Sequence, residues 1–187
     1  MAKCVNCSER MDIMKNRIFL VIAIFLSVFS GRIFAESDVS LSATQIRPGC
    51  SVVMHKVYPA DIDPNVNAAV FDQQLFWKCK GAEAVPVGTI GAEGGGPEIV
   101  TVFYRRNEIV VLARWTSGSA GADFQGSFYQ VNAFRLEQAN NQTTFRTVPA
   151  ITKAFGDGYD GTLNGKRVTF PYKNAASIRA RLAALGL

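Results

Sequence analysis

The sequence predicts a mainly β protein with a small α supplement: an antiparallel sheet or partial barrel of about seven strands, closed by a C-terminal helix. Three observations predict it. Alternating apolar residues recur in short runs, most clearly in "VFDQQLFWKCK" (70–80) and "GSFYQVNAFRLEQ" (126–138). Turn-forming pairs and glycine-rich stretches punctuate these runs, as at "RRN" and "LNGK". Only the terminal "NAASIRARLAALGL" carries a helical period over its whole length.

The elements follow in order. Residues 36–49 ("ESDVSLSATQIRPG") read as a polar, serine-rich lead-in. "CSVVMHKVY" (50–58) has strand composition, and two prolines in "PADIDPN" (59–65) end it. On the 70–80 run, Phe71, Leu75, Trp77 and Cys79 share one face, which predicts a half-buried strand. A glycine-rich connection, "GAEAVPVGTIGAEGGGPE" (81–98), follows. "IVTVFY" (99–104) and "EIVVLARW" (108–115) flank "RRN" as a hairpin. From residue 126, Phe128, Gln130, Asn132, Phe134 and Leu136 take one face, and Tyr129, Val131 and Ala133 the other. "ANNQ" turns the chain into "TTFRTV" (143–148). Pro149 opens a single helical turn that Gly156 ends. Asn164-Gly165 predicts a type I′ hairpin turn, which needs positive φ. Asn174 is the expected N-cap of the last helix, with Ile178, Leu182 and Leu185 on one stripe.

Residues 1–35 read as a signal peptide with an over-called N-terminal extension, and 36–187 as a single β-rich periplasmic domain. Lys15 and Arg17 precede the apolar run 18–29, and Ile33 and Ala35 stand at −3 and −1 of a cleavage site before Glu36. A run that short, at ~1.5 Å per residue, does not cross a ~30 Å hydrocarbon core. Secretion is therefore expected, with no membrane association after cleavage. In the extension, Cys4 and Cys7 lack the second half of a zinc site. Of the 20 Lys and Arg, five lie in the leader, as do two of the 15 Asp and Glu, leaving 15 basic against 13 acidic residues. That balance, with no basic run longer than two, gives no sign of a nucleic-acid surface, and no nucleic-acid partner is expected.

Two cysteines remain, Cys50 and Cys79. In an oxidising compartment an even pair reads as one disulfide, the alternative being two unpaired buried thiols. A loop of about 30 residues closed this way stabilises the fold by roughly 3–4 kcal/mol. The pairing also removes the thiolate that cysteine catalysis needs.

Other chemistry is thinly represented. His55, the chain's one histidine, has no nucleophile-elbow motif beside it. Asp157, Asp160 and Asn164 do not follow the calcium-loop spacing and suit turns on their own account. Asp61, Asp63, Glu93, Glu98 and Asp123 are carboxylates that sequence alone does not bring together. "GAEGGGPE" lacks a phosphate-loop lysine. No catalytic residue, metal or cofactor is assigned.

One stretch stands out for its shape. "RWTSGSAGADFQGSFY" (114–129) holds many tiny residues between aromatic ends, and residues 88–97 form a second glycine-rich connection. Such segments let backbone groups approach another surface closely. Here the chain resembles the periplasmic inhibitors of c-type lysozyme, small β-barrels whose Ser/Gly/Ala loop occupies the enzyme's cleft. "WKCKG" carries the Cys and Gly of that family's strand motif, and Ser117, Ser119, Gly121, Ala122 and Phe124 match its loop. Ala120 lengthens the loop, Asp123 replaces a basic residue, and the second tryptophan-lysine-glycine element is missing. An acidic Asp123 meets an acidic lysozyme cleft unfavourably. In general type the chain is also similar to the immunity proteins that counter cell-wall-degrading effectors of type VI secretion.

These resemblances imply a periplasmic inhibitor or immunity protein whose partner is a peptidoglycan-degrading enzyme, with the 116–127 loop occluding the target's cleft. Arg114, Trp115, Ser117, Gly118, Ser119, Gly121, Asp123 and Phe124 are the expected contacts, with Phe128 and Tyr129 as further anchors. The 88–97 loop or the pair Arg105 and Arg106 frames them. Self-association as a homodimer is compatible with this reading. The alternatives are a secreted hydrolase using His55 or a carboxylate pair, and an envelope protein holding an apolar ligand between sheet and terminal helix.

Overall fold

Strand β6 (Glu108–Ser117) organises the fold, because its centre is apolar without alternation. Ile109, Val110, Val111, Leu112 and Ala113 are all fully buried. A strand buried on both faces needs a layer on each side, and the chain supplies two different ones. The computed structural model describes residues 38–187 apart from 62, 64–66, 68, 118–122, 141 and 157. The leader with Cys4 and Cys7, the loop residues Gly118, Ser119 and Gly121, and Asp157 lie outside the described residues.

On one side of β6 stands a four-stranded antiparallel sheet, β1 (Val39–Ser42), β2 (Cys50–Val57), β3 (Asp72–Cys79) and β4 (Val85–Ile90), in that spatial order. The larger antiparallel sheet holds β6 with β5 (Glu98–Arg105), β7 (Phe124–Ala139), β8 (Gln142–Thr147), β9 (Tyr159–Leu163) and β10 (Lys166–Val168). Its main path runs β10-β9-β7-β6-β5 and curls as a half-barrel. The long β7 pairs with β6 along one edge. Its other edge is shared, by β9 against Phe124–Phe128 and by β8 against Phe134–Ala139. Helix α1 (Pro149–Lys153) carries the chain from β8 to β9 and buries Ile151.

Two cores result. Between the sheets, Val52, Leu75, Trp77 and Ile90 meet Ile109, Val111, Ala113, Trp115 and Phe134. On the far face of the larger sheet, Phe103, Val110, Leu112, Tyr129 and Val131 meet Phe155, Phe170 and the helix α2 (Ala175–Ala184) through Ile178 and Leu182. The space between sheet and terminal helix, expected by one sequence reading to hold a ligand, is occupied by buried Phe170, Ile178 and Leu182. Among the described residues no helix is long and apolar enough to cross a membrane.

Local chemistry accounts for the turns and caps. Arg106 (φ 49°) and Asn107 turn β5 into β6, and Asn164 (φ 49°) and Gly165 (φ 75°) turn β9 into β10. Pro149 starts α1, and Gly156 follows it at φ 63°. The Asn174 side chain accepts the Ser177 amide at 2.9 Å and caps α2. Cys50 and Cys79 are cross-strand partners joined by a disulfide, their Cα atoms 4.0 Å apart.

Three expectations need correction. The lead-in contains β1, an edge strand whose Val-Ser-Leu-Ser alternates over only four residues, too short a run to stand out in a serine-rich stretch. The connection 81–98 contains β4, disguised by Pro86, Gly88 and a register shift opposite Leu75 and Phe76. Gly88 is required there, since a Cβ would collide with the buried Phe134 ring. With these two the described strands number ten, in the antiparallel, mainly β arrangement expected. Leu185 is the C-cap of α2, exposed beyond the buried stripe of Ile178 and Leu182.

Candidate functional site

A cleft opens between the end of β6 and the start of β7. Its volume is about 300 Å³, and its floor is aromatic. Trp115 and Phe128 are cross-strand partners, as are Phe128 and Tyr159, so the antiparallel registers of three strands line up these rings. Ring centroids lie 5.8 Å apart for Trp115–Phe128, 5.2 Å for Phe128–Tyr159 and 4.9 Å for Phe124–Tyr159. The planes are inclined by 41°, 55° and 68° respectively. Trp115 is nearly buried, whereas Phe124, Phe128 and Tyr159 are half-buried.

Polar groups surround the rings. Glu93 arrives from the glycine-rich connection after β4, and Thr116, Ser117 and Gln130 come from β6 and β7. The Trp115 indole N–H donates to the Gly91 carbonyl at 3.1 Å, which ties that connection to the large sheet. Ser117 Oγ donates to the Phe124 carbonyl at 3.4 Å, and the Asn164 amide donates to the Asp123 carbonyl at 2.7 Å. Both strand ends that flank residues 118–122 are thus fastened.

No family model matches the chain. Neither does any curated protein or solved structure.

Of the expected contacts, Trp115, Ser117 and Phe124 line the cleft together with Phe128, and Asp123 directly precedes it. Arg114 and Tyr129 do not join them. They are partners in the β6–β7 ladder on the opposite face, where Tyr129 stacks on Phe170 at 5.4 Å. Arg114 is bound by Glu98, its Nε donating at 3.1 Å, and hydrogen bonds to Glu98 and then Tyr129 hold its pKa above the usual arginine value. Arg105 and Arg106 sit at the other end of β6, at the β5–β6 turn, with Arg105 3.6 Å from the buried Glu108. The 88–97 connection frames the cleft; the arginine pair does not.

Other candidates disperse. Glu98 is committed to Arg114. Asp160 lies 2.5 Å from Lys173, whose hydrogen bond is the chief reason its pKa falls below the ordinary carboxylate value. No group of His, Cys, Asp and Glu suited to a metal occurs among the described residues. His55 Nδ1 lies 2.7 Å from Asp38 Oδ1 on the exposed face of the small sheet. That pair borders a shallow depression of about 410 Å³ with Val53, Phe76, Lys78 and Ala84. In the sequence Glu93 is one of several unplaced carboxylates and nothing links Tyr159 with Trp115, because pairing across three strands leaves no trace in a single chain.

Proposed function

We propose that this chain is a periplasmic binding protein that neutralises a peptidoglycan-degrading hydrolase, presenting the segment between Ser117 and Asp123 to the target's active-site cleft. One observation carries the reading: the Trp115–Gly91 hydrogen bond holds the glycine-rich connection after β4 against β6, two residues before Ser117, where the second Gly/Ser segment leaves the sheet. Glycine and serine expose backbone amides and carbonyls to a foreign surface. A stem in unbroken register from Glu108 to Ser117, with a cystine in the facing sheet, limits the ordering cost on binding. Trp115 and Tyr159 at its base belong to the residue types that dominate binding hot spots. The choice of a cell-wall enzyme rests on the leader and on the likeness of the Ser117–Phe124 stretch to the lysozyme-inhibitor loop.

The test is inhibition of a panel of peptidoglycan hydrolases by the purified domain, repeated with residues Gly118 to Gly121 deleted. Inhibition lost in the deletant, with an unchanged melting transition, supports the reading. Inhibition retained in the deletant removes this loop from the mechanism.

A second reading, a secreted hydrolase, is favoured by the His55–Asp38 pair, since a carboxylate on Nδ1 orients an imidazole as a general base. Hydrolysis by the wild type that disappears in His55→Ala would decide for it.

A further inference from the structure

The aromatic cleft has a chemistry that loop occlusion does not use. We infer that it is a receptor for a single organic cation, a lysine or arginine side chain of the protein partner. The proposal rests on the binding role given above for the partner's identity, and on the cleft alone for its chemistry.

Three observations carry it. First, the rings are inclined to one another rather than laid out as a platform. All four rings line one cleft, and adjacent planes are inclined at 41°, 55° and 68°, so they offer no broad flat face. A sugar ring stacks on a broad flat face, whereas a compact cation gains from several rings turned toward it. Second, Glu93 supplies the counter-charge. It is exposed, lines the cleft and has no ion-pair partner among the described residues, unlike Glu98, Glu108 and Glu137, which pair with Arg114, Arg135 and Arg146. Among the described residues none of the lining side chains is cationic, and Asp123 adds a carboxylate one residue from Phe124. Third, the size suits one side chain. A volume of about 300 Å³ stands at the lower limit for small-molecule sites, enough for an alkyl stem and its charged head. The stem lies along Phe124 and Phe128, and the head meets Glu93, with Gln130 and Ser117 as additional acceptors.

The test is an NMR titration of the intact domain with N-acetyl-lysine methylamide and N-acetyl-arginine methylamide. N-acetyl-norleucine methylamide serves as the uncharged control and N-acetylglucosamine as the sugar control. The cationic probes are expected to shift the Trp115 indole and Tyr159 ring resonances with saturation in the millimolar range. Glu93→Gln should weaken them at least about fivefold with the melting transition unchanged, and Glu93→Asp should restore part of the loss. Equal binding of the norleucine probe, preferential binding of the sugar, no response to either cation, or full affinity in Glu93→Gln would each overturn the proposal. No hydrolase enters this titration, so a negative result removes the cation receptor and leaves the loop-deletion experiment to judge inhibition separately.

Discussion

Trp115 donates its indole N–H to the carbonyl oxygen of Gly91 at 3.1 Å, a bond spanning 24 residues between the large sheet and the connection that leaves β4. Replacing Trp115 with Phe removes this bond and leaves unfilled volume beneath Phe128. A loss of about 1–3 kcal/mol is expected in urea unfolding. Binding to a target should fall further than the stability change explains, because Glu93 is no longer anchored beside the cleft.

Gly126 and Gly161 face each other across the β7–β9 ladder at φ 147° and 155°. A Cβ on Gly126 would collide with the Asp160 carbonyl, and one on Gly161 with the Gln125 carbonyl. Ala at either position should cost about 3 kcal/mol or more, combining backbone strain with a clash that no side-chain movement relieves. Gly165→Ala is the control, at φ 75° in open space, and should cost only about 1 kcal/mol. Thermal melts of the three variants test the difference.

The cystine joins residues 29 apart in sequence. Cys79→Ser paired with Cys50→Ser should lower unfolding free energy by roughly 3–4 kcal/mol, mainly by releasing the unfolded chain. Denaturant titration with and without reductant checks this, and the double variant should be insensitive to reductant.

Asp160 binds Lys173 and also accepts the Phe170 amide at 3.4 Å, fastening β9 to the segment that leads into α2. Lys173 chiefly holds its pKa below the ordinary value, so folding favours the charged form. This contribution is fully present above the unfolded value near ~4 and is lost as pH falls through the lower folded value. Asp160→Asn should therefore be less stable than wild type at pH 7, and the two should converge toward pH 2. Urea midpoints across that range measure it.

Much of the fold was legible because its punctuation is local chemistry. The Asn164-Gly165 turn, the Asn174 cap and the β5–β6 hairpin each depend on a few adjacent residues. β1 escaped because its alternation lasts only four residues, and β4 because proline, glycine and a bulge break the two-residue period. At the candidate site, composition pointed to Trp115, Ser117 and Phe124. Grouping Arg114 with them overlooked that neighbours on a strand point to opposite faces. Glu93 and Tyr159 reach the cleft through a sheet-to-connection bond and a third strand, neither of which sequence order records.

The β6–β7 ladder closes at Ser117 and Gly126, and β9 independently pins Phe124 through Leu163. Changes of length or composition between Ser117 and Asp123 therefore shift no strand register. Selection on that short tip is uncoupled from selection on folding. The tip can therefore accept substitutions and changes of length while the body beneath stays the same.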